Sequence, residues 1–251
     1  MISITLDGKR VEARKGEFLL AVARREGIDI PALCHHEAVE PSGACRLCMV
    51  EITLPAWDGW SKVVTACLFP AEDGLIVLTN SDRVRKLRKE TLELLYARCP
   101  SAEAVRTLAA EYGVIYPRHQ VKEDGDNCTL CGICTRICQT HVTSAISTLE
   151  RGIEKKVDKP FPEVVDSCIG CLSCARACPT AAIAVEDNGK QRTIWGRTFE
   201  VLPCTECGAP TVTPEQADWL AGRTGLAVEE LTVCDRCKAC KTAGAYSRIA
   251  W

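Results

Sequence analysis

One cysteine pattern occurs twice in the chain and limits its fold more than any other feature. The segments CTLCGICTRICQT and CIGCLSCARACPT begin at Cys128 and Cys168, and both have the spacing C-x2-C-x2-C-x3-C. Each cysteine of the first segment lies 40 residues before its counterpart in the second. Thiols this close together, in a chain with 18 cysteines, indicate either disulfides or bound metal.

The sequence around the cysteines favours metal over disulfides. The N-terminal segment MISITLDGKRVEAR alternates like a strand and lacks the apolar region of a signal peptide, and no apolar run reaches the roughly 18 residues that span a bilayer. We therefore expect a cytoplasmic protein, in which thiols stay reduced and clustered cysteines bind metal. The net charge of −2 disfavours nucleic acid as a partner, and we expect no direct membrane insertion.

The repeated spacing is that of bacterial two-cluster ferredoxins. In these proteins three close thiolates bind one [4Fe-4S] cluster, and the fourth cysteine of the run binds the other cluster. This rule predicts one ligand set of Cys128, Cys131, Cys134 and Cys178, and a second set of Cys168, Cys171, Cys174 and Cys138. Zinc is disfavoured here because it takes four ligands per site and needs no crossed set of eight.

A third group of cysteines lies near the N-terminus. The loop has the spacing C-x10-C-x2-C, and together with a distant fourth cysteine it resembles the plant-type [2Fe-2S] pattern. The predicted ligands are Cys34, Cys45, Cys48 and Cys67. The flanking segments predict a hairpin at Asp7-Gly8, a helix and two further strands, the order of a β-grasp ferredoxin fold. Gly43 and Ala44 are small enough to let backbone N–H groups approach the sulfurs.

Two pairs of side chains near this loop have alternative interpretations. His35 and His36 are adjacent, which disfavours a Rieske cluster with two histidine ligands, and we expect packing or hydrogen-bonding roles for them. Trp57 and Trp60 lie in the turn-rich insertion PAWDGWS between the last two cysteines. They either cover the cluster or meet a partner, or they form an ordinary hairpin tip.

Residues 81–120 predict a helical hairpin interrupted at Pro100. The predicted apolar face of the first helix consists of Val84, Leu87, Thr91, Leu94 and Leu95. The basic cluster Arg83, Arg85, Lys86, Arg88 and Lys89 is expected to be a solvated face, with a docking surface for another subunit as the alternative. Cys99 is expected to be a buried, inert thiol, with a ligand role toward a partner's cluster as the alternative.

The last cysteine group has two open interpretations. The segments PCTECGAP and VCDRCKACK supply Cys204, Cys207, Cys234, Cys237 and Cys240. Two C-x2-C pairs resemble a zinc ribbon, in which case Cys240 is spare. A third [4Fe-4S] cluster bound by four of the five thiolates is the alternative.

The predicted fold class is α+β, in four modules. Residues 1–80 form the β-grasp [2Fe-2S] ferredoxin domain, and residues 81–120 form the helical linker. Residues 121–190 form the two-cluster [4Fe-4S] ferredoxin domain, and residues 191–251 form a small C-terminal ribbon that binds zinc or a further cluster.

The combined motifs resemble a known family. A [2Fe-2S] domain with C-x10-C-x2-C followed by an eight-cysteine module is similar to the N-terminal portion of three proteins: the large iron-sulfur subunit of respiratory complex I, iron-only hydrogenases, and the diaphorase iron-sulfur subunit of NAD-linked hydrogenases. The resemblance covers residues 1 to about 187. Those relatives carry a further cubane between the two modules, bound by one histidine and three cysteines. This chain offers only Cys99 and His119 in that region.

The resemblance implies an electron-transfer subunit in a hetero-oligomer. Such a subunit passes single electrons between a flavoprotein that holds FMN and uses NAD(H), and a catalytic partner such as a hydrogenase, a formate dehydrogenase or another low-potential enzyme. We predict no catalytic residues, because the sequence has no Walker loop, Rossmann glycine fingerprint or Ser/His/Asp arrangement. The alternatives are a free-standing polyferredoxin-like carrier and a zinc or iron-sulfur binding or sensory protein.

Overall fold

The computed structural model describes residues 1–121, 127–160 and 167–246 of the 251-residue chain. The parts of the predicted modules at 122–126, 161–166 and 247–251 lie outside the described residues. Contacts divide the chain into two compact units, one of Met1–Arg136 with Ala177–Ala182 and the other of Ile137–Arg176 with Ile183–Trp251. The division into four modules stays a prediction.

The first unit contains a five-stranded mixed sheet. Its elements are β1 (Ile2–Leu6), β2 (Lys9–Ala13), α1 (Leu19–Arg25), β3 (Met49–Thr53), β4 (Lys62–Thr65) and β5 (Ile76–Leu78). The strand order is β2-β1-β5-β3-β4, in which β1 and β5 are parallel and the other pairs are antiparallel. The predicted hairpin at Asp7-Gly8 joins β1 to β2, and both residues have positive φ, as a tight two-residue turn requires.

The core of this sheet lies between the strands and α1. Alternating strand residues such as Ile4, Leu6 and Ile52 are almost fully buried, as expected when one face of a sheet is covered. Leu19 and Leu20 of α1 are buried against them. The mixed α and β architecture predicted for the [2Fe-2S] domain is therefore confirmed.

Two helices follow the sheet, α2 (Asp82–Arg98) and α3 (Glu103–Glu111). Ser81 caps α2, because its hydroxyl accepts a hydrogen bond from the backbone N–H of Val84 at 3.3 Å. The predicted apolar face was partly wrong, since Leu87 and Leu94 are exposed. The buried face of α2 consists instead of Val84, Arg88, Leu92, Glu93 and Ala97. This face includes an arginine, which a search for apolar periodicity does not count.

The remaining elements carry the other cysteines. They are α4 (Ile133–His141), β6 (Ser147–Leu149), β7 (Lys156–Asp158), α5 (Ser173–Arg176), β8 (Val185–Asp187), β9 (Gln191–Ile194), β10 (Arg197–Glu200), α6 (Pro214–Thr224), α7 (Val228–Leu231) and α8 (Asp235–Tyr246). In the second unit β6 pairs with β7, and β10, β9 and β8 form an antiparallel sheet. Phe199 of β10 is a large, almost fully buried side chain in this sheet. Within the described part of the chain, no helix has the length and apolarity needed to cross a membrane.

Candidate metal centres

The four N-terminal cysteines converge at one end of the first sheet. Cys34 and Cys45 lie in the loop between α1 and β3, Cys48 precedes β3 directly, and Cys67 follows β4. All four are buried. The thiol of Cys34 is within hydrogen-bond reach of the Cys45 thiol, and the thiols of Cys48 and Cys67 form a second such pair. Two pairs of thiols fit a two-iron cluster, in which each iron takes two cysteines.

Backbone N–H groups point at these sulfurs, as predicted for Gly43 and Ala44. The N–H of Cys45 donates to Cys34 Sγ at 3.3 Å, and the N–H of Ala44 also donates to it. The N–H of Gly43 donates to the Cys67 sulfur. The Cys45 thiol, helped by these N–H groups, lowers the pKa of Cys34 to about 5. Donors of this kind stabilise the thiolate, which is the form that binds metal.

His36, Trp57 and Trp60 differ in the contacts that they make near the loop. His36 Nδ1 accepts a hydrogen bond from the backbone N–H of Ala38 at 3.1 Å, which confirms a hydrogen-bonding role. The ring centroids of Trp57 and Trp60 lie 5.1 Å apart, in an edge-to-face arrangement. Trp57 packs against the core, whereas Trp60 is 58% exposed, so the two tryptophans differ in their contact with solvent.

The first predicted [4Fe-4S] ligand set lies within the first unit, including its distant member. Cys178 lies in Ala177–Ala182, which belongs to the same compact unit as Met1–Arg136. Cys128, Cys131 and Cys134 are in that unit too. Burial raises the pKa of Cys131, and the nearby Cys178 thiol raises it further. Backbone N–H groups again reach the sulfurs, from Leu130 to Cys128 at 3.4 Å and from Ala182 to Cys178 at 3.3 Å.

The second predicted set surrounds a cavity in the second unit. Cys138, Cys168, Cys171 and Cys174 all line this cavity, together with apolar side chains such as Ile146 and Ile194. The N–H of Ala145 donates to Cys138 Sγ at 3.2 Å, and the indole Nε1–H of Trp195 donates to Cys174 Sγ at 3.5 Å. Burial raises the pKa of Cys174 to about 11. The crossed assignment of the eight ligands, which the ferredoxin spacing predicts, stays a prediction.

Arginine side chains hold the backbone carbonyls of the ligand loops. Arg98 Nε donates to the Cys128 carbonyl at 2.9 Å, and Arg197 Nη1 donates to the Cys168 carbonyl at 2.8 Å. Arg192 Nη1 donates to the Gly170 carbonyl at 3.0 Å in the same loop as Cys168. No sequence pattern indicates these contacts, because each arginine is about 20 to 30 residues from its acceptor. Each guanidinium therefore fixes the backbone of a loop that carries predicted ligands.

Arg88 makes the same kind of contact with the [2Fe-2S] loop. It is 2% exposed, so the predicted solvated role was wrong for this member of the basic cluster. Its Nε donates to the Leu47 carbonyl at 3.0 Å, and its Nη2 donates to the Met49 carbonyl at 2.6 Å. Tyr112 accepts a third bond from Nη1 at 3.1 Å. The two carbonyls flank Cys48, so Arg88 fixes the backbone on both sides of a predicted ligand.

The C-terminal thiols form a tighter group than the other sets. The Sγ atoms of Cys204, Cys207, Cys234 and Cys237 all lie within 4.8 Å of one another, and among the described residues no other group of three potential metal ligands does so. Cys204 and Cys207 lie in a turn after β10, whereas Cys234 and Cys237 lie at the start of α8. The N–H of Cys234 donates to Cys204 Sγ at 3.3 Å and lowers the pKa of Cys204 to about 6. Cys240 is exposed and lies outside the group.

The linker region has no comparable group among its described residues. Cys99 is fully buried, as predicted, and packs with Ala102 and Val105. His119 is exposed. Neither residue belongs to a group of three potential ligands in the part of the chain that the structure describes.

Comparisons with known proteins match two stretches of the chain to families of iron-sulfur cluster binding domains. Residues 1–82 match the family of the 2Fe-2S iron-sulfur cluster binding domain, and residues 163–184 match the 4Fe-4S binding domain. The chain is 29% identical over 231 residues to the NADPH-Fe(3+) oxidoreductase subunit alpha of Geobacter sulfurreducens, covering 82% of this chain and 27% of that protein. It is 31% identical over 214 residues to an NADP-reducing hydrogenase subunit of Solidesulfovibrio fructosivorans, covering 73% and 36%.

A further sequence relative and a solved structure extend this likeness. The 75 kDa subunit of the NADH-ubiquinone oxidoreductase of Reclinomonas americana is 28% identical over 197 residues, covering 75% of this chain and 24% of that protein. The crystal structure of an NAD+-reducing [NiFe]-hydrogenase in the H2-reduced state matches with a TM-score of 0.60 at 26% identity, covering 72% of this chain and 85% of that chain. The resemblance predicted from the sequence is confirmed. The chain spans about a quarter to a third of the length of the curated relatives named here.

Proposed function

We propose that the chain is an electron-transfer subunit of a multisubunit oxidoreductase, with one [2Fe-2S] and two [4Fe-4S] clusters. When bound, such clusters take up and release single electrons at potentials set by their surroundings. The observation that carries the proposal is the separation of twelve thiols into three sets of four, each contained within one compact unit. The protein binds the clusters with these thiolates and stabilises the thiolates with N–H and guanidinium groups.

The proposed ligands are those of the sequence prediction. Cys34, Cys45, Cys48 and Cys67 would hold the [2Fe-2S] cluster. The first [4Fe-4S] cluster would take Cys128, Cys131, Cys134 and Cys178, and the second would take Cys168, Cys171, Cys174 and Cys138. Burial of most of these thiols keeps water away from the sulfurs, which matters because solvent access is one determinant of the potential.

The proposed partners are a flavoprotein subunit and a catalytic redox subunit in a hetero-oligomer. The names of the relatives support this, since they are subunits of NADH- or NADPH-linked oxidoreductases and of hydrogenases. The flavoprotein would hold FMN and exchange a hydride with NAD(H), and this chain would receive or deliver the electrons singly. A hydrogenase, a formate dehydrogenase or a similar low-potential enzyme would be the other partner. The proposed location of this complex is the cytoplasm.

We further propose that the C-terminal thiols bind one zinc ion rather than a third cubane. A tetrahedral zinc ion with Zn–S bonds of about 2.3 Å holds its sulfurs about 3.8 Å apart. The Sγ atoms of Cys207 and Cys234 are 3.7 Å apart. The thiols of a cubane bind four different irons and therefore stand farther apart. On this account the site fastens the start of α8 to the turn after β10, and Cys240 remains outside it.

The electron-transfer proposal is tested on protein purified anaerobically. We expect about ten irons per chain, from one [2Fe-2S] and two [4Fe-4S] clusters. Cys67→Ser should remove the paramagnetic signal of the [2Fe-2S] cluster and leave the cubane signals, because the [2Fe-2S] ligands are separate from those of the cubanes. About four or fewer irons per chain, with zinc in the remaining sites, would refute the proposal.

The subunit role is tested separately from cluster content. The pure chain should not oxidise NADH, whereas addition of the flavoprotein from the same cells should allow NADH to reduce the clusters. Turnover of NADH by the chain alone would contradict the proposal. So would a chain that runs as a monomer and copurifies with no other redox protein under anaerobic conditions.

A further inference from the structure

One arginine contacts the ligand loops of two different proposed clusters. Arg136 lies on α4 between two cysteines of the first ferredoxin run. Its Nη2 donates to the Cys34 carbonyl at 3.0 Å and to the Cys131 carbonyl at 3.3 Å. Cys34 is a proposed [2Fe-2S] ligand, and Cys131 is a proposed ligand of the first [4Fe-4S] cluster. A single nitrogen therefore joins the backbones of two ligands that lie 97 residues apart in the chain.

The other nitrogens of this guanidinium continue the same bridge. Nε donates to the Gly132 carbonyl at 3.2 Å, on the cubane side. Nη1 donates to the Glu40 carbonyl, on the [2Fe-2S] side. The planar fork of an arginine can bind several acceptors in fixed directions, which a lysine cannot do. Both ends of the bridge lie within the first compact unit, so it needs no contact with the second unit.

The charge of Arg136 acts on both thiol sets. An arginine stays protonated at every physiological pH, so it is a fixed positive charge. A positive charge between two sets of thiolates favours the reduced, more negative state of each cluster. The half-buried position of Arg136 leaves this effect less screened than at an open surface.

We propose that Arg136 is a positioning residue that ties the [2Fe-2S] loop to the first cubane loop and raises the reduction potentials of both clusters together. This inference rests on the proposed function, because it assigns Arg136 a role toward clusters bound by this chain. It differs from the role of Arg88, whose two backbone acceptors, Leu47 and Met49, flank a single proposed ligand. The experiment must separate three properties of Arg136: its positive charge, the fixed N–H directions of its planar guanidinium, and its link between the two ligand loops.

The experiment compares Arg136→Met, Arg136→Lys and the unaltered chain, each purified anaerobically with its clusters. Redox titration followed by electron paramagnetic resonance gives the potential of each cluster, and the magnetic interaction between the two reduced clusters reports their separation. Arg106→Met serves as the control, because Arg106 is an exposed arginine on α3. Iron content is measured for every variant.

For Arg136→Met we expect the reduction equilibrium of both clusters to become about tenfold less favourable, which is about 59 mV for a one-electron couple. The magnetic interaction between them should weaken. Arg136→Lys keeps the positive charge, so both clusters should retain most of their reduction potential. It loses the planar guanidinium, so the magnetic interaction between the two clusters should still weaken. All signals of Arg106→Met should stay unchanged.

Three results would overturn the inference while leaving the proposed function intact: unchanged potentials in Arg136→Met, a change confined to one of the two clusters, or an unchanged magnetic interaction in both variants. If Arg136→Met loses iron, Arg136→Lys still tests the inference. An unaltered magnetic interaction between the two clusters in Arg136→Lys would exclude a link between the two ligand loops through Arg136. Absence of either cluster from the unaltered chain would refute the proposed function itself, and this inference with it.

Discussion

Arg88 Nη2 lies 2.6 Å from the carbonyl oxygen of Met49, at the residue that follows the proposed ligand Cys48. The guanidinium also donates to the Leu47 carbonyl, so α2 holds the backbone on both sides of that ligand. Because Arg88 is buried, water cannot replace these bonds if the side chain is lost. The linker helix is therefore part of the structure that supports the [2Fe-2S] site.

Arg88→Met should destabilise the protein and weaken the [2Fe-2S] site. Each of the two carbonyls left without a partner costs about 1–3 kcal/mol, so we expect a loss of about 2–6 kcal/mol in the free energy of unfolding. Denaturant unfolding measures the loss, and the paramagnetic signal of the [2Fe-2S] cluster reports its occupancy. Arg85→Met, at an exposed position on the same helix, should change the free energy by less than about 0.5 kcal/mol. Equal effects of the two substitutions would contradict the role of Arg88.

Gly43→Ala should impair assembly of the [2Fe-2S] cluster. Gly43 has a φ of +64°, and a Cβ there would lie 2.5 Å from Leu68 Cδ1. The positive φ alone costs about 1–2 kcal/mol, and the Leu68 side chain would have to move beside the Gly43 N–H that reaches the Cys67 sulfur. We expect a lower [2Fe-2S] content with unchanged cubane content, measured by spectroscopy on the purified protein.

Gly59→Ala is the matched control for that substitution. Gly59 has a φ of +78°, but no heavy atom would lie within 4 Å of an added Cβ, so it shares the backbone strain without the clash. Gly59→Ala should lower the free energy of unfolding and leave the [2Fe-2S] content unchanged. Similar cluster loss in both variants would show that backbone strain, rather than the approach to sulfur, explains the result for Gly43.

The sequence predicted the parts of the site that depend on local spacing. The β1–β2 hairpin and the small residues at Gly43 and Ala44 both follow from patterns within a short segment. The arginine contacts do not follow from such patterns. Arg88 binds carbonyls 39 and 41 residues away, and Arg136 binds one 102 residues away. A backbone carbonyl has no sequence signature, so such a partner is visible only in the fold.

Burial of the charged face of α2 could not be predicted for the same reason. Apolar periodicity favoured Leu87 and Leu94 as core residues, but these are exposed. The helix turns its arginine toward the ligand loop because the carbonyls there provide acceptors that an apolar residue would leave unpaired. Periodicity predicts the existence of the helix, whereas polar contacts decide which of its faces is buried.

Glu51 should stabilise the protein in a pH-dependent way. Its carboxylate accepts hydrogen bonds from Ser61 at 2.5 Å and from Ser81, the cap of α2, at 2.6 Å. The hydroxyl of Ser61, followed by that of Ser81, lowers the pKa of Glu51. A lowered folded-state pKa gives stability that is present above the unfolded pKa of about 4.3 and is lost as the pH falls through the folded pKa.

Glu51→Gln should therefore cost about 1–2 kcal/mol at pH 7, and the difference from the unaltered chain should shrink below about pH 4. Denaturant unfolding of Glu51→Gln and of the unaltered chain, from pH 7 to below about pH 4, measures their free energies of unfolding. Subtracting one from the other cancels acid effects that both proteins share. Glu103→Gln, at an exposed position in the first turn of α3, provides a control with the same charge change. A difference that grows as the pH falls would contradict the sign of the shift.

Cys237→Ser should abolish zinc binding at the C-terminal site and leave the iron content unchanged. Cys237 belongs to the group of four thiols within 4.8 Å, whereas Cys240, about one turn later on α8, lies outside it. Cys240→Ser is therefore the matched control and should retain one zinc per chain. Metal analysis of the two variants measures both metals, and hydrogen exchange should rise at the start of α8 in Cys237→Ser only, because a lost metal no longer fastens the helix to the turn after β10. If this site instead held a third cubane, Cys237→Ser would lower iron by about four atoms per chain and change no zinc, which would reject the single-ion assignment.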